Sequence, residues 1–182
     1  VMALHLLNLR VLADASLDDY ALLSFEGREA ISEPFDYHLE LITTVDADLS
    51  TWIGKLAEWD VSPDRGEQRV FAGRIYAAGT VMSGGLMKVH VQVRPAYHAL
   101  AYARATHFVQ NKTSVQIFEA LTADVPGLTK SVRVSPAPPT RGYSVRYDET
   151  ELSFLARLLA QDGIMYFFVY ERGAGPFRHK MI

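Results

Sequence analysis

Strict alternation of apolar and polar residues marks the first half of the chain, and it restricts that half to β-structure. Met87, Val89, Val91 and Val93 alternate with Lys88, His90, Gln92 and Arg94. Phe35, Tyr37, Leu39 and Leu41 alternate in the same way with Asp36, His38 and Glu40. A period of two puts one set of side chains on a core face and the other in water. Tyr20 to Phe25 and Arg69 to Ala77 read as further strands, the latter with a bulge or tight bend expected at Gly73. Ser83-Gly84-Gly85 separates two strand patterns and reads as a hairpin turn. Strands this close in sequence pair antiparallel, and several of them suggest a barrel or sandwich.

Short helices punctuate this pattern. Asp48 is placed to cap a turn with Leu49, Trp52 and Ile53 on one face, stopped at Gly54. Pro95 suits the start of another, with Tyr97, Leu100 and Ala101 facing inward.

The second half changes character. Thr113 to Gln116 has the spacing of a capping box ahead of Ile117, Phe118 and Leu121. Ser135 to Arg141 holds three prolines and reads as an exposed extended loop. Tyr143 to Tyr147 alternates again. Asp148 to Glu151 reads as a second capping box, opening a helix with Leu152, Leu155, Ala156, Leu158 and Leu159 on one stripe. Asp162-Gly163 stops it. Ile164 to Tyr170 reads as an apolar strand buried on both faces. The expected fold is mainly β with α+β. A barrel-like antiparallel domain over 1–105 precedes a strand–helix–strand module over 106–182, with the change of composition near Arg104 to Gln110.

Composition excludes several functions. The 182 residues include no Cys, so disulfide scaffolds and Cys-ligated metals are out. A net charge of -3 argues against a nucleic-acid or anionic-membrane binder. The start, Val1 to Asn8, has no basic segment and no long apolar core, so no signal peptide is expected, and no window approaches a membrane span.

Catalytic motifs are missing as well. There is no Gly-x-Ser-x-Gly elbow, and Gly54-Lys55 follows a helix where a phosphate loop must precede one. The histidines are scattered. His38 and His90 could meet across a sheet, but they read as rim residues on the polar faces of their strands. Asp46 and Asp48 have the spacing of a calcium loop without its Gly or distal Glu, which favours capping. Asp18 and Asp19 point apart on any regular element, and Glu149 and Glu151 belong to a helix start. The aromatic run Tyr166, Phe167, Phe168 and Tyr170 could stack on sugars or bases, but a buried strand explains it better. No catalytic, cofactor-binding or metal-binding residues and no cofactor are expected.

Two segments exceed generic folding signals: Phe108-Val109-Gln110-Asn111-Lys112-Thr113-Ser114, and the block from Tyr143-Ser144-Val145-Arg146-Tyr147 through Leu152-Ser153-Phe154-Leu155 to Gly163-Ile164-Met165-Tyr166-Phe167-Phe168. Both resemble the N-terminal hub region of the VgrG family, the spike of type VI secretion systems. Gly27 to Phe35, Arg69 to Ile75 and Val93-Arg94-Pro95 are similar to further family segments in the same order. The family usually has Glu where Asp162 stands. The resemblance implies a fold similar to contractile-phage tail hubs: barrel-like domains with an inserted α+β module, assembled as a homotrimer. It implies an Hcp-like hexameric tube as partner, together with spike-tip or effector proteins. It also implies assembly in the bacterial cytoplasm and then type VI export without a signal peptide. VgrG proteins continue into the rest of the hub, an oligonucleotide-binding-like barrel and a β-helical needle, so the chain is expected to be truncated at its C-terminus. A tail hub or baseplate protein of a contractile phage or prophage is the neighbouring alternative. A hydrolase using a carboxylate pair such as Glu149 and Glu151 is the remote one.

Overall fold

The structure is a computed structural model describing residues 7–46, 48–62, 67–84, 86–172 and 177–182. The apolar start at residues 1–6, including His5, and Gly85 of the expected hairpin turn lie outside the described residues. The elements are β1 (Leu7–Leu12), β2 (Tyr20–Ala30), β3 (Glu33–Thr43), β4 (Leu56–Val61), β5 (Arg69–Ser83), β6 (Leu86–Arg94), β7 (Arg104–Lys112), α1 (Ser114–Leu121), β8 (Thr129–Lys130), β9 (Arg141–Thr150), α2 (Glu151–Gln161), β10 (Phe168–Arg172) and β11 (Phe177–Met181). Short 3-10 turns cover Leu17–Asp19, Leu49–Trp52 and Ala96–Ala101. The fold is mainly β, and no described helix is long and apolar enough to cross a membrane.

The chain forms two compact units that interleave along the sequence. The first comprises residues 1–29, 35–95 and 170–179; the second comprises 30–34, 96–169 and 180–182. A single cut between 105 and 106 would pass through β7.

A six-stranded sheet in the order β1-β4-β5-β6-β3-β2 builds the first unit. The alternating patterns set its register. Tyr37 faces Val93, Leu39 faces Val91 and Leu41 faces Val89, and all six are buried. A one-residue slip would turn every one of them into water. On this face Trp59 and Phe71 pair across β4 and β5 and stack at 5.6 Å, and Tyr37 meets Trp59 edge-on at 5.3 Å. Gly73 sits in regular register opposite Ala57. A Cβ there would lie 2.6 Å from Val93 Cγ1, so the glycine serves a close approach. The bulge falls at Tyr76 instead, between Ile75 and Ala77. β5 ends at Ser83 and β6 begins at Leu86, with Gly84 at a φ of 58 that side chains resist.

Two strands lack the alternating signal. In β4 Glu58 and Asp60 are buried, although charged. They face β1, where Arg10 pairs with both. Asp60 is 1% exposed and also accepts from Asn8 at 2.9 Å, Gln68 at 2.9 Å and Ser62 at 3.0 Å. Burial pushes its carboxyl up, and the bonds from Asn8, Arg10, Gln68 and Ser62 more than offset this, holding it below the usual carboxylate range. The cluster ties edge strand β1 to the sheet.

In the second unit, the expected capping box at Thr113 is present: Thr113 Oγ1 accepts from Gln116 N at 3.2 Å, and Thr113 N donates to Gln116 Oε1 at 3.0 Å. The second box differs. β9 runs to Thr150, paired with Arg104, so Thr150 caps α2 by accepting from Ser153 N at 3.1 Å. Of the expected α2 stripe, Leu155, Leu158 and Leu159 are buried and Leu152 packs partly; Phe154, outside that stripe, is buried with them against Tyr97, Leu100, Ile117, Phe118, Tyr166 and Met181. Ile164 to Phe167 is not strand, and the strand there starts at Phe168. Tyr166 is buried while Met165 and Phe167 are exposed, so this segment is not buried on both faces. The backbone pairs Ser32 N with Tyr166 O at 2.7 Å and links Phe167 with Ile182 at 3.0 and 3.2 Å, which turns alternate side chains outward.

Asp60→Ala leaves Arg10 and three amide or hydroxyl donors without their acceptor. It should cost about 3 kcal/mol of stability in urea titration. A carboxyl held low in the folded state contributes stability above its unfolded value, near pH 3.9, and loses it as pH falls through the folded value. Acid unfolding should therefore flatten in Asp60→Asn.

Candidate functional site

The polar face of the six-stranded sheet carries the residues that alternate with the core. His38 lies opposite Gln92, and His90 lies opposite Glu40, so the two histidines are diagonal neighbours. A groove of about 700 Å³ crosses this face, lined by Ser24, Glu26, His38, Glu40, His90 and Gln92 among others. Glu40 and Asp36 on this face are engaged. Glu40 pairs with Lys88 and accepts from Ser24 Oγ at 3.3 Å. The Lys88 bond holds Glu40 below the usual carboxylate range against the opposing effect of burial. Asp36 accepts from Arg94 at 2.7 Å and Gln92 at 2.9 Å, and His38 Nε2 lies 3.5 Å away. Burial raises the Asp36 carboxyl, and Arg94 and Gln92 outweigh it, so it too is held low. These pairs make a charged ladder, not a set of convergent ligands. Among the described residues, no group of three or more His, Asp or Glu could hold a metal.

The other candidates resolve into structural roles. Asp48 caps its turn, accepting from Ser50 N at 3.0 Å and Ser50 Oγ at 2.6 Å. Trp52 is buried there, but Ile53 is exposed because the turn ends before it. Gly54 takes a φ of 81 and Lys55 pairs with Asp14, so this segment is a turn end with an ion pair. Asp18 and Asp19 sit in a 3-10 turn with no buried residue. Glu151 Oε1 pairs with Arg146 at 2.6 Å, and Glu149 pairs with Arg157, which also donates to Val145 O at 3.0 Å. Both carboxylates fasten α2 to β9. Tyr166 and Tyr170 have hydroxyls pushed up by burial, Tyr170 with its OH 2.7 Å from that of Tyr37. Tyr37 also bonds Glu29, which takes two bonds from Arg69 at 2.9 and 2.8 Å.

Two features were not legible in the sequence. One is His179, buried in the first unit with its ring 5.4 Å from Phe35. Burial, with Arg74 nearby, lowers its pKa to about 4, against a hydrogen bond with the Ala72 backbone. The other is the β7–β9 ribbon. Phe108 and Tyr143 stack at 5.7 Å on its outer face, and β7 is exposed along almost its whole length.

Glu151→Ala leaves the buried Arg146 without its ion-pair partner and should lower stability by about 1–3 kcal/mol, read as a fall in Tm, with a smaller fall for Glu149→Ala. A His with a depressed folded pKa makes the unfolded state the better proton binder. Stability should then be full above pH 6.5 and fall as pH drops toward about 4, a slope that His179→Gln removes in pH-dependent denaturation.

The sequence profile of the phage tail baseplate hub (GPD) family matches residues 28–182. The chain is 30% identical over 149 residues to the type VI secretion system spike protein VgrG1b of Pseudomonas aeruginosa, covering 81% of this chain and 20% of that protein. It is 32% identical over 153 residues to VgrG5 of the same species, covering 81% of this chain and 19% of that protein. The structure resembles that of the E. coli c3393 protein, a type VI secretion component similar to the T4 bacteriophage tail proteins gp27 and gp5. The TM-score is 0.70 at 21% identity, over 97% of this chain and 48% of that one. This likeness is one of fold. The chain spans about a fifth of the curated relatives' length.

Proposed function

This chain belongs to the phage tail baseplate hub family, and from that membership we propose that it is a hub segment of a type VI secretion spike, a structural part and not an enzyme. The observation that carries the reading is the match to VgrG1b and VgrG5 across 81% of the chain. The site chemistry supports it, because Asp36, Glu40, Asp48, Glu149 and Glu151 are committed to ion pairs and caps. In this reading the protein assembles as a homotrimer in the bacterial cytoplasm and seats on a hexameric Hcp-like tube. It travels outward through the type VI machinery without a signal peptide, with spike-tip or effector proteins attached elsewhere on the assembled spike. Threefold closure and two similar hub domains per copy would offer a sixfold tube a matching ring. The family's phage members favour a second reading, a tail hub of a contractile phage or prophage.

Sedimentation of the protein carrying this segment should give a trimer, and the trimer should capture the tube protein encoded beside it. A monomer at high concentration overturns the hub reading. A trimer that binds a phage tail tube and ignores Hcp-like hexamers selects the second one.

A further inference from the structure

An apolar cleft of about 50 Å³ opens in the second unit. Its floor is built from Phe118 of α1, Leu159 of α2, Tyr166 and Met181, all of them buried. Val115 of α1 and the run from Lys130 to Val134 line it as well. One water occupies roughly 10–15 Å³ by this measure, so the cleft has room for about four waters, the size of one Leu or Ile side chain. Met165 also lines it and is 70% exposed, and an unbranched thioether adapts to whatever side chain enters.

Two further observations say what fits there. The first is the backbone. β8 is an edge strand of its sheet. Ser131 N donates to Met181 O at 2.8 Å, which carries the β8–β11 pairing one residue past β8. Beyond it, Val132, Arg133 and Val134 make no hydrogen bond among the described residues. Their N–H and C=O groups are open to pairing, and valine suits a strand. The second is charge. Lys130 and Arg133 are the charged residues of the cleft, and no carboxylate lines it. Lys130 Nζ bonds Thr122 Oγ1 and lies 5.3 Å from the centre of the Phe118 ring, neutral partners that leave its charge in place. Arg133 is exposed and has no ion pair among the described residues.

We infer that this cleft takes an extended segment of a partner protein, one in which an apolar residue is flanked by acidic residues. The segment adds as a strand beside Val132 to Val134. Its apolar side chain enters the cleft, and its carboxylates meet Lys130 and Arg133. Main-chain bonds then supply the affinity, while the single apolar slot and its cationic rim supply the selectivity. This docking is independent of the trimer reading, so either can fail alone.

The probe is a fluorescein-labelled peptide, Glu-Val-Glu-Leu-Glu-Val, read by anisotropy. It should bind saturably, both to the chain and to the protein carrying this segment. Binding should be at least tenfold weaker for Lys-Val-Lys-Leu-Lys-Val, and equally so for the acidic peptide with alternate amides methylated, which blocks strand pairing. Amide exchange at Val132 to Val134 should slow in the complex. Arg133→Glu, at an exposed side chain, should reverse the preference between acidic and basic peptides with Tm unchanged. Val115→Phe fills the cleft and should weaken the acidic peptide at least tenfold, with circular dichroism unchanged. Equal binding of acidic and basic peptides, full binding of the methylated peptide, an unaltered preference in Arg133→Glu, or no saturable binding overturns the inference. Binding to the chain that the protein carrying this segment lacks overturns it too, because that protein then covers the cleft itself.

Discussion

Aromatic packing on one face of the six-stranded sheet is the constraint on which the first unit depends. Phe25, Phe35, Tyr37, Trp59 and Phe71 come from four strands and meet at ring separations of 4.8 to 6.5 Å. Tyr170 joins from β10 at 6.1 Å from Phe35, and its hydroxyl completes the chain Arg69–Glu29–Tyr37–Tyr170. The cluster thereby holds a strand that is distant in sequence, and the polar chain satisfies two phenols that burial would otherwise penalise.

The opposite face follows from the same alternation. Side chains turned away from the aromatic core form a surface of ion pairs over β3 and β6, with the groove across it. Exposed pairs of this kind add little stability. Their effect is to keep a broad sheet face polar. The second unit divides its ribbon similarly: Ser144 and Arg146 turn to the buried side, and the rings turn to water.

Legibility tracked locality. The β3 and β6 alternation, the Thr113 capping box and the α2 stripe are each decided within a few residues, and each stands in the structure. β1 and β4 were not read as strands. Glu58 and Asp60 look like solvent residues, and Arg10, Asn8, Gln68 and Ser62, up to 52 positions away, make their burial favourable. The run from Ile164 to Tyr170 looked uniformly apolar, yet Met165 and Phe167 face water because backbone bonds to Ser32 and Ile182 fix its course. The bulge fell on Tyr76 and not on Gly73, whose empty side is taken up by the approach of Val93, Phe35 and the Arg94 carbonyl.

By itself the sequence determined the secondary structure with local causes, the mainly β class and, through its motif blocks, the family resemblance. These depend on periodicity, caps and residue identity, which act at short range along the chain. Tertiary structure alone decided which charges are buried, which units share which segments, and which apolar side chains remain outside. Residues 30–34 and 170–179 each belong to a unit other than that of their immediate neighbours, and no local pattern encodes that exchange. The exposed rings of β7–β9 became visible only in the folded chain.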